Sequence, residues 1–189
     1  MAQFKWPKLA QFCWPLTYGY RPRTGALRAV KDLSSELSSR KYHSVVEADI
    51  KSFFTNINHE LLLEMLAKRI DDKRFLNLIR KWLKAGIIET DGQVTHPVTG
   101  TPQGGVVSPI LANIYLHHVI DEWFEETERK HCRGQIYLCR YADDFVCAFE
   151  NGKDAERFYK ALSQRLEQFG LQVAEDKTHI IEFSPCKVR

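Results

Sequence analysis

The sequence predicts an α+β fold in which helices back one face of an antiparallel sheet, and three observations predict it. Short β-branched and apolar runs at His43 to Ile50, Gln135 to Tyr141 and Phe145 to Glu150 are too brief for typical helices and read as strands. The last two runs are separated only by Ala142-Asp143-Asp144, a gap that fits a β-hairpin and not a crossover. Longer stretches with apolar residues at helical spacing lie before, between and after them, giving the order strand, helices, hairpin, helix, strands.

Taken in order, Ala26 to Arg40 is expected as a helix from the spacing of Leu27, Val30, Leu33 and Leu37. His43 to Ile50 is the first strand. Asn58 is placed to cap a helix carrying Leu61, Leu62, Met65 and Leu66. A second helix runs from Asp72 to Ala85, with Gly86 as its stop. Ile87 to Thr99 reads as short strands around the Asp91-Gly92 turn. A long helix starts near Pro109, a residue favoured in the first turn, and continues towards Glu128. After the hairpin, Lys153 to Phe169 is an amphipathic helix stopped by Gly170. Leu171 to Val173 and His179 to Phe183 are expected as a last strand pair.

At 189 residues and 44% apolar content the chain suits one domain with a real core, and no repeat or linker divides it. Its 27% charged content argues against disorder and against a membrane protein. No apolar run approaches the roughly 18 residues of a membrane span. Lys5, Lys8 and two prolines interrupt the N-terminal stretch, which is not a signal peptide; residues 1–16 are left unassigned. Five cysteines form no C-x-x-C pair, and an odd count closes no disulfide framework, so a reducing cytoplasm is the expected compartment. Cys13, Cys139 and Cys147 read as small core fillers. Charge is unevenly placed. Residues 1–42 carry eight Lys and Arg against two acids, while the remainder has nineteen against twenty-two. A basic arm ahead of an acidic body suits a protein that holds a nucleic-acid backbone with one part and metal with another, although charge alone fits a solvated surface as well.

Three aspartates stand out. Asp49 ends the strand-like run Val45-Val46-Glu47-Ala48-Asp49, and Asp143 and Asp144 sit between two apolar strands. Carboxylates there are costly to desolvate unless a positive group meets them. Adjacent aspartates on a tight turn repel, which makes a divalent cation a natural partner. Mg²⁺ takes oxygen ligands, and two such ions about 3.5–4 Å apart can activate a hydroxyl and steady a leaving oxygen. A polar hairpin turn is the plain alternative for the dipeptide by itself.

The flanking residues decide between these readings. Arg140-Tyr141-Ala142-Asp143-Asp144-Phe145-Val146 resembles the YxDD hairpin of reverse transcriptases, in the form found in group II intron-encoded enzymes and their bacterial retron-type relatives. Glu47-Ala48-Asp49-Ile50-Lys51-Ser52-Phe53-Phe54 is similar to the strand bearing that family's first catalytic aspartate. Gly100-Thr101-Pro102-Gln103-Gly104-Gly105-Val106-Val107-Ser108-Pro109 resembles its template- and nucleotide-contacting block. Gly170-Leu171 with Lys177-Thr178 is similar to its lysine-bearing block, and Tyr18-Gly19-Tyr20-Arg21-Pro22 to its "YGFRP" start of the palm. The blocks stand in the family's order over residues 17–184.

The resemblance implies a polymerase palm over residues 17–189, an antiparallel sheet backed by helices with partial fingers and no thumb. It implies an RNA-directed DNA polymerase that extends a DNA primer with dNTPs on an RNA template, using two Mg²⁺ ions, for which Mn²⁺ can substitute. Asp49, Asp143 and Asp144 become the metal carboxylates, with the Ile50 carbonyl as a further metal contact. Phe54, five residues after the first aspartate, takes the position of the steric gate against a ribose 2′-hydroxyl; core packing is its alternative. Gln103 lies beside the incoming nucleotide, and Gly104 and Gly105 allow close backbone approach. Lys177 is the candidate to neutralise or protonate pyrophosphate, or else an exposed lysine near a strand start. Arg21 and Arg23 are candidate phosphate contacts, or else surface charge.

Thr55 departs from the family, whose group II branch has Asp there, as in "FFDNI". Nothing resembles the basic finger blocks or the thumb, so the chain is expected to be weakly active or inactive by itself. Structured intron RNA and a second copy of the chain are further candidate partners. Competing readings are a maturase-like fragment that binds RNA without synthesis, an RNA-templated RNA polymerase, opposed by Phe54, and a nuclease, in which the Pro-Gln-Gly-Gly block has no evident role.

Overall fold

The computed structural model describes residues 17–85, 87–88, 94–95, 99–101 and 105–182. Its elements are α1 (Ala26–Leu37), β1 (Ser44–Ala48), α2 (Phe53–Asn56), α3 (His59–Ala67), α4 (Lys73–Lys84), β2 (Ile87–Ile88), β3 (Val94–Thr95), α5 (Ser108–Leu116), α6 (Arg129–His131), β4 (Ile136–Tyr141), β5 (Asp144–Phe149), α7 (Gly152–Glu167) and β6 (His179–Glu182). Between α5 and α6 the helix continues without a break through two widened π turns, His117–Asp121 and Phe124–Glu128. No helix among the described residues is long and apolar enough to cross a membrane.

Four strands form one antiparallel sheet in the order β4-β5-β1-β6, and β2 pairs with β3 separately. Alternation sends Val46, Ala48, Leu138, Phe145, Cys147 and Phe149 into one core with α3, α5 and α7. Phe158 of α7 seals it, fully buried against Phe149 and Phe124. The helix starts follow from sequence. The Asn58 side chain accepts from the Glu60 and Leu61 amides at 3.0 and 3.1 Å, and Asp72 does the same for α4. Cys139 and Cys147 are buried, as core fillers should be.

The structure differs from expectation in three places. The other sheet face is not bare, because Ala29, Leu33 and Leu37 lay α1 over β4 beside Tyr18, Tyr42 and Tyr137. Leu27 and Val30 of the predicted stripe stay 91% and 65% exposed, since the helix reaches only the sheet margin. Leu171–Val173 and His179–Glu182 do not pair with each other. Both take the free edge of the first strand: Val173 bridges Ile50, and β6 pairs with β1. The Asp91-Gly92 turn, Gly86, Cys13 and Cys186 lie outside the described residues.

Candidate active site

Strand register brings the three aspartates together. β1 and β5 pair as far as Ala48 opposite Phe145, so the next residues on the two strands are Asp49 and Asp144, with Asp143 in the adjoining turn. On the other side of β5, Tyr141 pairs with Asp144, leaving Ala142 and Asp143 as a two-residue turn. Ala142 has φ 57°. Positive φ at the first central residue alone marks the mirror-image hairpin turn that ordinarily takes glycine there.

Asp49 is clasped by the loop that follows Val173. Its carbonyl accepts from the Ala174 N–H at 2.9 Å, and its N–H donates to Thr178 Oγ1 at 3.3 Å. Between these contacts Lys177 folds back, Nζ lying 2.8 Å from Asp49 Oδ2. The Ile50–Val173 bridge is flanked by bonds from the Lys51 N–H to the Gln172 carbonyl and from the Ala174 N–H to the Asp49 carbonyl. That pattern belongs to a non-hydrogen-bonded pair, so the Ile50 carbonyl points away from Val173, towards the side on which β5 lies.

The electrostatics are those of crowded carboxylates. Burial raises the Asp143 pKa above its ordinary value and the Asp49 charge raises it further, against an opposing pull from Lys177 and Arg140. Asp144 is raised by burial, then by the charges of Asp143 and Asp49. Hydrogen bonding to Asp49 lifts the exposed Lys177 above the usual lysine value. Among the described residues no three His, Cys, Asp or Glu side chains stand arranged to hold a metal ion; Asp49 is turned onto Lys177. The donor set itself, hard oxygens in mutual repulsion, suits Mg²⁺.

A cleft of about 1010 Å³ opens beside these groups, lined by Asp49, Ile50, Phe54, Asp143 and Lys177, and by Ser163 and Glu167 of α7. Phe54 is half-buried, its ring 5.3 Å from that of Phe53. Its carbonyl accepts from the Thr101 N–H at 2.8 Å. Gly100, at φ +87°, packs so closely that a Cβ there would stand 2.7 Å from the Phe54 carbonyl oxygen. Thr55 lines the cleft and donates to the Ser52 carbonyl at 2.9 Å. Arg21 and Arg23 do not line it; Arg21 Nη1 donates to the Thr17 carbonyl at 3.0 Å. Gln103 and Gly104 lie outside the described residues.

Sequence reasoning assigned no role to Arg140, Asp121 and Asn113. Arg140 and Asp121 are 0% and 2% exposed and form a two-pronged ion pair beneath the turn, with Nε and Nη2 each 2.7 Å from a carboxylate oxygen. Burial would raise the Asp121 pKa, but the Arg140 charge and hydrogen bonds hold it below the ordinary carboxylate value. The available signal was Arg140 inside an otherwise apolar run; Asp121, beside Glu122, carried none.

Comparison with known proteins shows the family. A family model described as reverse transcriptase (RNA-dependent DNA polymerase) matches residues 6–188. Protein YkfC of Escherichia coli (strain K12) is 33% identical over 166 residues, which cover 73% of this chain and 43% of YkfC. Group II intron-encoded protein LtrA of Lactococcus lactis subsp. cremoris is 40% identical over 104 residues, 55% of this chain and 17% of LtrA. The chain therefore spans less than half the length of these relatives. Among solved structures, telomerase from Candida albicans in complex with a TWJ fragment of telomeric RNA superposes with a TM-score of 0.71 at 13% identity. That match covers 96% of this chain and 34% of the telomerase chain, a likeness of fold.

Proposed function

The chain belongs to the reverse transcriptase family, and we propose that it carries the catalytic centre of an RNA-directed DNA polymerase, extending a DNA primer with deoxynucleotides on an RNA template. The observation that carries this reading is the β1–β5 register, which sets Asp49 against Asp144 beside a cleft shared by Phe54 and Lys177. Asp49, Asp143 and Asp144, with the Ile50 carbonyl, would hold two Mg²⁺ ions, or Mn²⁺ in their place. When bound, such a pair activates the primer 3′-hydroxyl and steadies the leaving oxygen. The 3′-oxygen gives up its proton to solvent and bonds to the α-phosphorus as the bond to the bridging oxygen breaks, and pyrophosphate departs.

The chain's own groups align and discriminate. Phe54 presents a ring where a ribose 2′-hydroxyl would project. Lys177 is held at Asp49 and can neutralise or protonate the departing pyrophosphate. Gln103 and Gly104 would contact the nucleotide, and Arg21 and Arg23 the phosphates of template or primer. Similarity to the group II intron-encoded protein supports that branch, with structured intron RNA as a candidate partner.

The test is primer extension with annealed RNA template and DNA primer, deoxynucleotides and Mg²⁺, with Asp143→Ala as control. Extension that the control abolishes supports the assignment. RNA binding with no extension under any divalent ion would favour an RNA-holding role without synthesis.

A further inference from the structure

A buried ion pair is a poor device for stability alone, because its charges lose their water and apolar residues of similar volume serve as well. The Arg140–Asp121 pair therefore calls for another role, and its remaining contacts point to one. With Nε and Nη2 committed to Asp121, Arg140 Nη1 donates to the Ala142 carbonyl at 2.8 Å and to Asn113 Oδ1 at 3.1 Å. Asn113 Nδ2 in turn donates to the Gly19 carbonyl at 2.8 Å. Gly19 closes the other side, since a Cβ there would stand 2.5 Å from the Ala142 nitrogen. Thr17 Oγ1 donates to Asp121 at 3.2 Å, and the Tyr18 N–H to the Arg140 carbonyl at 2.9 Å.

Two contacts of this network, the Arg140 hydrogen bond and the close approach of Gly19, meet on one residue in a left-handed conformation. Ala142 carries φ 57° with a side chain, in a turn position suited to glycine, so the turn has to be held by its surroundings. Asp143 and Asp144 follow directly, and their direction depends on that turn. The widened helical turn His117–Asp121 ends at Asp121 beneath it. Such π turns often mark functional positions.

We infer that Arg140 is a positioning residue for the Asp143–Asp144 turn: anchored by Asp121, its guanidinium holds the Ala142 carbonyl and so aims the two carboxylates towards Asp49. The inference rests on the proposed metal-binding role of those carboxylates. Lysine cannot replace arginine here, because a single ammonium cannot grip both Asp121 oxygens and the Ala142 carbonyl together.

The experiment measures Mn²⁺ affinity of the purified chain by the electron paramagnetic resonance signal of the free ion, with folding checked by circular dichroism. Arg140→Lys should bind Mn²⁺ about 10–100-fold more weakly than the wild type, the range seen when outer partners of a metal site are lost. Adding Ala142→Gly, which relaxes the turn, should recover much of that loss, a rescue that a purely structural arginine would not show. The paired exchange Arg140→Met with Asp121→Leu keeps the interior filled and should also weaken Mn²⁺ binding. Wild-type affinity in Arg140→Lys alone or in the paired Arg140→Met, Asp121→Leu exchange would overturn the inference and leave the catalytic reading standing. Absence in the wild type of any Mn²⁺ site sensitive to Asp143→Ala would overturn both.

Discussion

The Lys177 ammonium lies 2.8 Å from the Asp49 carboxylate, and the loop carrying it bonds the Asp49 backbone through Ala174 and Thr178. The lysine is thus delivered to the first aspartate by the same short segment that ends the sheet. Because the side chain is largely exposed, the contact concerns the site more than the fold.

Replacing Lys177 should leave the melting temperature nearly unmoved and slow extension. For Lys177→Met a loss of about 10²-fold in rate is expected, the lower range for a general acid. Lys177→Arg separates the two roles. Guanidinium restores the ion pair but does not surrender a proton. Recovery with arginine would assign Lys177 to charge, and continued loss would assign it to proton donation.

Phe54→Ala or Phe54→Val should raise ribonucleotide incorporation while deoxynucleotide incorporation falls less. The ring lines the cleft and is only half-buried, so its removal leaves most of the core intact. Competition between a ribonucleotide and its deoxy counterpart reads the outcome directly. Unchanged discrimination would make Phe54 a packing residue, held by Phe53 and the Gly100 backbone.

Much of this site was legible in sequence. Asp49, Asp143 and Asp144 were visible as charges at the ends of apolar runs, and the hairpin followed from the short gap between its strands. Local signals such as Asn58 before an apolar helical stripe were equally readable. Non-local choices were not. Whether Leu171–Val173 joins His179–Glu182 or the edge beside Ile50 depends on which partner is free in the assembled sheet. Arg140 and Asp121 read as separate charges, since their burial and fork arise only when β4 settles on the long helix. The reach of α1 was hidden too, because Leu27 and Val30 share the helical stripe without sharing the contact.

The Arg140–Asp121 pair predicts a specific response to acid. The Asp121 carboxyl is held below its ordinary value in the folded chain. Its contribution is therefore complete above the unfolded carboxylate range and drains away as the pH falls towards the depressed folded value. Asp121→Asn removes that dependence, leaves Arg140 buried without its anion, and should cost about 3–5 kcal/mol at neutral pH. Urea unfolding at a series of pH values measures both effects. A variant that loses stability below pH 4 as steeply as the wild type would show that other groups govern the acid response.

Removal of divalent ions should make the three carboxylates a liability that one substitution relieves. Asp143 and Asp144 are raised by burial and by neighbouring negative charge, so without a cation their ionised forms oppose folding at neutral pH. Asp143→Asn should then stabilise the chelator-treated protein. The gain should stay within about 1 kcal/mol, because both carboxylates are partly screened by solvent. The wild type should respond to Mg²⁺ in the opposite sense. At ten times its dissociation constant a bound ion adds about 1.4 kcal/mol, or roughly 3–6 °C in melting temperature for a chain of this size. Asp143→Asn should lose most of that increment, so the two melting curves approach or cross as Mg²⁺ is added. Parallel curves, with the variant gaining as much from Mg²⁺ as the wild type, would place the ion somewhere other than these carboxylates.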